Sequence, residues 1–335
     1  MLFKNEFNIG NKTISRHSSP YLVAEIGLNH NNDLEIGKRT IEAAAKSGAS
    51  AVKFQTYTTS EFIDENNVEA KFLYDIFKQY ELSEQFHLEF QKTAKDLGVD
   101  FFSTPLCESA VDLLVSLKVP VIKVASGDVV NFQLLKKIAK TNLPVFLSSG
   151  AADFYEVVRA IEFFGSNATE ELCLMHCVSL YPAPPEKLNL KTIELYGEMY
   201  SFPLGFSDHS KGFTGAVLSV GLGARVIEKH FTLDKSLPGP DHTISANPEE
   251  LKLLSEQINS AYLMIGERKK IVHEEELNGR YYGRRSAYLQ ENKSISLRPA
   301  LHTKDSSILE SWDISKIENS KFAKKSGPIQ FKDIL

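Results

Sequence analysis

Between Tyr21 and Phe231 the chain repeats one pattern eight times: a short apolar run ends in polar, reactive residues and gives way to a stretch with helical spacing. The runs are YLVAEIGLNH (21–30), AVKFQTY (51–57), DFFSTP (100–105), VIKVASGD (121–128), PVFLSSG (144–150), LCLMHCVSLYP (172–182), LGFSDHS (204–210) and VIEKHF (226–231). Strands alternating with helices predict parallel βαβ units, and eight of them in about 250 residues predict an α/β fold, a closed (β/α)8 TIM barrel. Catalytic side chains of such barrels gather where the strands end, which makes the polar tips the candidate site.

The intervening segments read as capped, one-sided helices. Ser83 precedes the stripe Phe86, Phe90, Ala94 and Leu97, and Gly98 ends it; Leu251, Leu254, Ile258, Ala261 and Ile265 form another, ending at Gly266. Residues 3–20 predict an N-terminal β-hairpin turning at Gly10-Asn11 that plugs one end of the barrel. The barrel domain is placed at 1–270, a charged linker at 271–282 and a small β domain at 283–335, where SSILESWDI (306–314) echoes SGPIQFKDI (326–334). Two related half-units of that size bury little surface alone and are expected to lean on their own barrel or on that of a second chain.

Composition narrows this picture in three respects. With 335 residues, 42% of them hydrophobic, the chain is long enough to bury a full barrel core. A formal net charge of −5 gives no general attraction for nucleic acid or an anionic membrane, so an anionic ligand needs a local cluster of cations. Cys107, Cys173 and Cys177 form no CxxC pair, and no run has the length and apolarity of a signal peptide or membrane span; a reducing, cytoplasmic setting is expected.

The tips carry the chemistry. His209 and His230 end neighbouring strands about 4.8 Å apart, so both imidazoles can enter one mouth and hold a divalent ion beside Asp208, Glu228 and Asp241. Lys53 and Lys123 end the second and fourth strands, flanked by Thr104, Ser126, Ser148, Ser179 and Ser207, a set suited to phosphate or carboxylate. Lys229 lies beside His230. Glu25, Asp128, Asp208, Asp241, Asn29 and Gln55 complete a polar ring able to hydrogen-bond a polyol, with Glu25 placed for acid/base work. LPGPDHTIS (237–245) reads as a loop over the mouth, with Asp241 and His242 as lid residues.

EIGLNH, VKFQTY, FFSTP, KVASGD, LSSG, HCVSLYP, FSDHS, EKHF and PGPDH, in this order from Glu25 to Ser245, resemble the sialic acid synthase family of N-acetylneuraminate and legionaminate synthases. The resemblance implies condensation of phosphoenolpyruvate with an N-acylated hexosamine, either N-acetylmannosamine or 2,4-diacetamido-2,4,6-trideoxymannose, to give a nonulosonic acid and phosphate. It implies a divalent metal on His209 and His230, Mn2+ in the first place and Mg2+ or Co2+ otherwise. Lys53, Thr104, Lys123, Ser126, Ser148, Ser179 and Ser207 would hold phosphoenolpyruvate; Gln55, Tyr181 and Asp241 would face the sugar, and Glu25, Lys53, Lys123 and Asp128 would serve catalysis. It further implies a C-terminal antifreeze-like (SAF, β-clip) domain and a homodimer that exchanges these domains.

The chain departs from the family pattern in three places. Asp128 stands where many members have Glu, and Ser179 where some have Asn. Arg298-Pro299 lacks the glycine of the family's RP-x-x-G segment, and if 306–314 and 326–334 are the two half-units the segment between them is missing, so Arg298 becomes the candidate sugar-facing arginine with Arg284 and Arg285 behind it. Two other readings remain: a metal-free aldolase barrel working through a Schiff-base lysine, and a non-catalytic paralogue that binds sugar.

Overall fold

The computed structural model describes residues 3–167, 169–283, 285–299, 321 and 326–330. The chain divides into two compact units, Met1–Gly266 and Glu267–Leu335. In the first, a β-hairpin of β1 (Glu6–Ile9) and β2 (Lys12–Ser15) precedes eight parallel strands: β3 (Tyr21–Gly27), β4 (Ala51–Thr56), β5 (Asp100–Pro105), β6 (Ile122–Val124), β7 (Val145–Ser148), β8 (Leu172–Cys177), β9 (Leu204–Asp208) and β10 (Val226–His230). They close in the order β10-β3-β4-β5-β6-β7-β8-β9.

Strand alternation decides what enters the barrel. Tyr21, Phe102 and Phe146 meet edge to face in a lower layer, with ring centroids 6.3 and 5.7 Å apart. Two residues further along each strand the inward positions are Val23, Thr104 and Ser148, and at the top the barrel turns polar. The intervening positions face the helices: Phe54, next to inward Lys53, stacks on Phe90 with centroids 4.9 Å apart, a contact worth about 1 kcal/mol beyond its area. The apolar lower layer holds the strands together and leaves the polar residues to the mouth.

Helices cover the barrel: α1 (Leu34–Lys46) after β3, α4 (Glu84–Asp96) before β5, then α5 (Glu108–Ser116), α6 (Phe132–Ala139), α7 (Phe154–Ser166), α8 (Lys191–Met199), α9 (Thr214–Gly221) and α10 (Pro248–Ile265). Asp33, Ser83, Asn131, Asp153 and Asn247 cap their N-termini through side-chain oxygens, and Asp153 and Asn247 form reciprocal boxes with Glu156 and Glu250, each cap contributing about 1 kcal/mol. The expected stripes are buried except at their ends: Leu97 is a C-cap residue 38% exposed, and Ile265 is 43% exposed. Both stand where the helix leaves the barrel surface.

Two helices beyond the regular barrel pattern, α2 (Thr59–Phe62) and α3 (Lys71–Tyr80), lie between β4 and α4. The hairpin buries Phe7, Ile9 and Ile14 in the barrel core, and Arg16 Nη1 donates to the carbonyls of Gly197 and Tyr200, both at 2.8 Å. In the second unit, the segment read as a linker holds a short helix, α11 (Leu277–Gly283); β11 (Arg285–Leu289) pairs antiparallel with β12 (Ile295–Pro299) and β13 (Gly327–Pro328). The 306–314 half of the internal echo lies outside the described residues, as does Arg284.

Candidate active site

A cavity of about 360 Å³ opens at the C-terminal ends of the strands. Glu25, Lys53, Gln55, Thr104, Lys123, Ser126, Asp128, Ser148, Ser179, Tyr181, Ser207, His209 and His230 all line it. Register explains their convergence: Glu25 pairs with Lys53 on one side and His230 on the other, Gln55 with Thr104, and Ser207 with Glu228. Asp241 approaches from the loop after β10, its Oδ2 3.8 Å from His230 Nδ1. Arg298 lies on β12, paired with Ser286, in the second unit.

The cavity floor is a buried charge quartet. Lys53 Nζ is 2.8 Å from Glu25 Oε2 and 3.7 Å from Glu228 Oε1, and Lys123 Nζ is 3.8 Å from the same Glu228 oxygen. Lys53 also donates to Thr104 Oγ1 at 2.9 Å, Lys123 to Ser148 Oγ at 2.7 Å, and Ser207 Oγ to Glu228 Oε1 at 3.0 Å. The two lysines draw Glu228 down to about 2 despite burial. Burial and the neighbouring Glu228 push Glu25 up to about 7, against the pull of Lys53. Two carboxylates hold Lys53 above its ordinary value, while burial pushes Lys123 down. Glu228 Oε2 is buried with no hydrogen-bond partner among the described residues.

Above the quartet stand the histidines, with ring centroids 5.4 Å apart. His209 Nδ1 lies 3.0 Å from the Val178 carbonyl. A carbonyl only accepts, so Nδ1 carries a proton and Nε2 is the ring nitrogen left for another partner. His230 is held neutral mainly by burial, and its Nδ1 has no hydrogen-bond partner. Tyr181 covers His209 at a centroid distance of 4.2 Å. Among the described residues no group of three or more His, Cys, Asp or Glu side chains is disposed around a metal position. Two imidazoles, one of them with an orphaned nitrogen, are nevertheless suitable donors for a borderline divalent cation completed by substrate or water.

Several expected members of the ring lie elsewhere. Asp208 Oδ2 pairs with Lys229 Nζ at 2.9 Å and its Oδ1 accepts from Ser210, so Asp208 and Lys229 face the helices, opposite in strand phase to His209 and His230. Asn29 Nδ2 donates to the Phe231 carbonyl and to Ser245 Oγ, both at 2.9 Å. His242 is a buried anchor with no lid role: its ring nitrogens meet Thr232 Oγ1 at 2.7 Å and Asn31 Oδ1 at 3.0 Å. These contacts lock the loop that carries Asp241 onto the loop after β3. Glu228 was read only as a neighbour of the histidines, although it shares their inward phase. Cys177 also reaches the cavity, its thiol lowered by the His209 and Ser126 contacts against burial.

Fold and mouth together define a (β/α)8-barrel enzyme with a lysine- and hydroxyl-lined cavity beneath a pair of histidines. A model of the NeuB family matches residues 40–270, and the chain belongs to that family. An uncharacterized protein of Methanocaldococcus jannaschii is 41% identical over 287 residues, 86% of this chain and 84% of its own length. The N,N'-diacetyllegionaminic acid synthase of Legionella pneumophila is 40% identical over 286 residues, 81% of this chain and 80% of its own. A crystal structure of N-acetylneuraminic acid (sialic acid) synthetase from Leptospira borgpetersenii in complex with citrate has a TM-score of 0.78 at 34% identity, covering 84% of this chain and 97% of that one.

Proposed function

We propose that the protein condenses phosphoenolpyruvate with an N-acylated hexosamine, N-acetylmannosamine or 2,4-diacetamido-2,4,6-trideoxymannose, to give a nonulosonic acid and phosphate. The observation that carries this is the pair of buried lysines, each hydrogen-bonded to a hydroxyl on the neighbouring strand. One lysine takes the carboxylate and the other the phosphate, with Thr104, Ser126, Ser148, Ser179 and Ser207 as hydroxyl donors. Gln55, Tyr181 and Asp241 face the sugar, with Arg298 as the arginine contributed by an antifreeze-like C-terminal domain of residues 283–335 in an exchanged homodimer.

Charge balance supports a cation in the same site. Lys53 and Lys123 are already offset by Glu25 and Glu228, so an entering phosphate and carboxylate need further positive charge. A divalent ion held by His209 and His230, Mn2+ first and Mg2+ or Co2+ otherwise, would supply it and polarise the sugar aldehyde. The residues then align C3 of phosphoenolpyruvate with the aldehyde carbon; the carbon–carbon bond forms as the C=O π pair moves onto the aldehyde oxygen, which takes up a proton that the water adding at C2 replaces, and positive charge develops at C2. Glu228, anionic beneath the cavity, stabilises that charge. Glu25, raised to about 7, accepts the proton of the water that adds at C2, and C–O cleavage releases phosphate. Asp128, itself raised by burial and held by Asn131, faces the same cavity.

The test is phosphate release with Mn2+ and either sugar, beside His209→Ala and EDTA controls. Release that needs both sugar and metal is expected; none with either sugar overturns the proposal. The lowered Lys123 ammonium favours one rival, a Schiff-base aldolase. Covalent trapping of substrate by borohydride with activity unaffected by EDTA would establish it.

A further inference from the structure

One arc of the cavity is apolar. Phe62 from α2, Phe77 from α3 and Leu106 just beyond β5 line it. This wall is built from the inserted helices and is braced from behind. Phe62 and Phe77 pack edge to face at 5.1 Å, and buried Tyr57 contacts both rings at 6.0 and 5.2 Å. Tyr57 Oη donates to the Phe77 carbonyl at 3.1 Å. Glu81 Oε2 clamps the start of α2 by accepting from the Thr59 backbone N–H at 2.9 Å and its hydroxyl at 2.6 Å, and it pairs with Lys78 on α3 at 3.0 Å. The rings are therefore fixed surface in a site that otherwise offers hydrogen bonds.

Barrel topology sets what meets that wall. In the closed order, β4 and β5 stand across from β8 and β9, which deliver Tyr181 and His209. An open-chain sugar whose aldehyde end is held at the histidines extends its C4–C6 end across the mouth, toward Phe62, Phe77 and Leu106. Phe62, Phe77 and Leu106 offer no hydrogen-bonding side-chain atom, so a hydroxyl set against them loses its water without gaining a partner. A methyl there is buried favourably.

We propose that Phe62, Phe77 and Leu106 form a specificity wall that selects acceptors with an apolar tail, a 6-deoxy carbon and an acylamido methyl, over acceptors with a hydroxylated tail. The inference rests on the condensation reading above and assigns its acceptor class. One methylene-sized difference in an apolar pocket is worth about tenfold or more. The expected result is that kcat/KM for 2,4-diacetamido-2,4,6-trideoxymannose exceeds that for N-acetylmannosamine by about tenfold or more.

Phe62→Ala and Phe77→Ala are expected to lower the first value roughly tenfold, to move the second by less than about threefold and to leave the KM for phosphoenolpyruvate unchanged. Phe77→Leu retains the preference, which separates wall chemistry from loss of folding. Calorimetric affinities of the two non-reacting alditols give the same order without turnover. Phosphate release with both sugars but equal losses in the alanine variants, or a wild-type preference for N-acetylmannosamine, overturns the wall and leaves the condensation standing. Release with neither sugar overturns both.

Discussion

Glu228→Gln tests the buried quartet directly, because it removes one charge and keeps the shape and the acceptor for Ser207. At an effective dielectric of about 20, a pair of charges 3.7–3.8 Å apart attracts by roughly 4 kcal/mol. Lys53 keeps Glu25 at 2.8 Å, whereas no other carboxylate among the described residues forms an ion pair with Lys123. Loss of one partner from a buried pair costs about 3–5 kcal/mol, and we take about 3 kcal/mol. For the unit Met1–Gly266, an unfolding entropy of about 2 cal/mol/K per residue converts this to a fall in Tm of about 5 °C.

Scanning calorimetry at neutral pH reads this shift. Two further signs are fixed. Lys123 has a folded pKa already lowered by burial, so its penalty is relieved as pH rises through that value, and the deficit of the variant narrows at alkaline pH. The variant cavity also carries one net positive charge, so phosphoenolpyruvate raises its Tm more than it raises that of the wild type. A variant melting within about 1 °C of wild type, with no difference in its response to phosphoenolpyruvate, refutes the quartet as a coupled charge set.

Glu25→Gln is expected to alter the pH dependence of stability. A folded pKa near 7 against about 4.5 unfolded contributes stability fully present below 4.5 and lost as pH rises through 7, on the order of 3 kcal/mol; urea midpoints at pH 5 and 7.5 must converge in the variant. Gly150→Ala places a methyl against Ser179 Oγ, 2.7 Å from Ser126 Oγ and 2.9 Å from Cys177 Sγ. The KM for phosphoenolpyruvate is expected to rise about tenfold or more with the circular dichroism spectrum unchanged, since loss of aligned contacts at this distance is costly; an unchanged KM removes these hydroxyls from the anion site.

The strands, their order and most of the mouth were legible because a period of two is strict. Lys53 and Gln55 share one phase and Phe54 the other, so a polar residue at the end of an apolar run is aimed inward or outward by count alone. The same count separates Glu228 and His230 from Lys229, and proximity in sequence obscured it: Asp208 and Lys229 flank the histidines in the chain yet bury their ion pair on the other side of the sheet. The aromatic wall was not legible. Phe62 and Phe77 read as ordinary helix core, and only the placement of the inserted helices brings them to the cavity. His242 was misread because a proline- and glycine-rich stretch signals a loop but not the hydrogen bonds that fasten it.

Closure of the barrel by β10 against β3 has a consequence for synthesis. The first barrel strand waits for a partner about 200 residues later in the chain, and the hairpin beneath it waits for the carbonyls of Gly197 and Tyr200 that receive Arg16. At about 5–20 residues per second, translation leaves one edge of β3 unpaired for roughly 10–40 s. During that interval Phe7, Ile9, Ile14 and the apolar run of β3 form an incomplete surface. The order of emergence from the ribosome thus makes the N-terminal half the segment most in need of protection from aggregation, and the arrival of β10, which brings His230 to the mouth, ends the exposure.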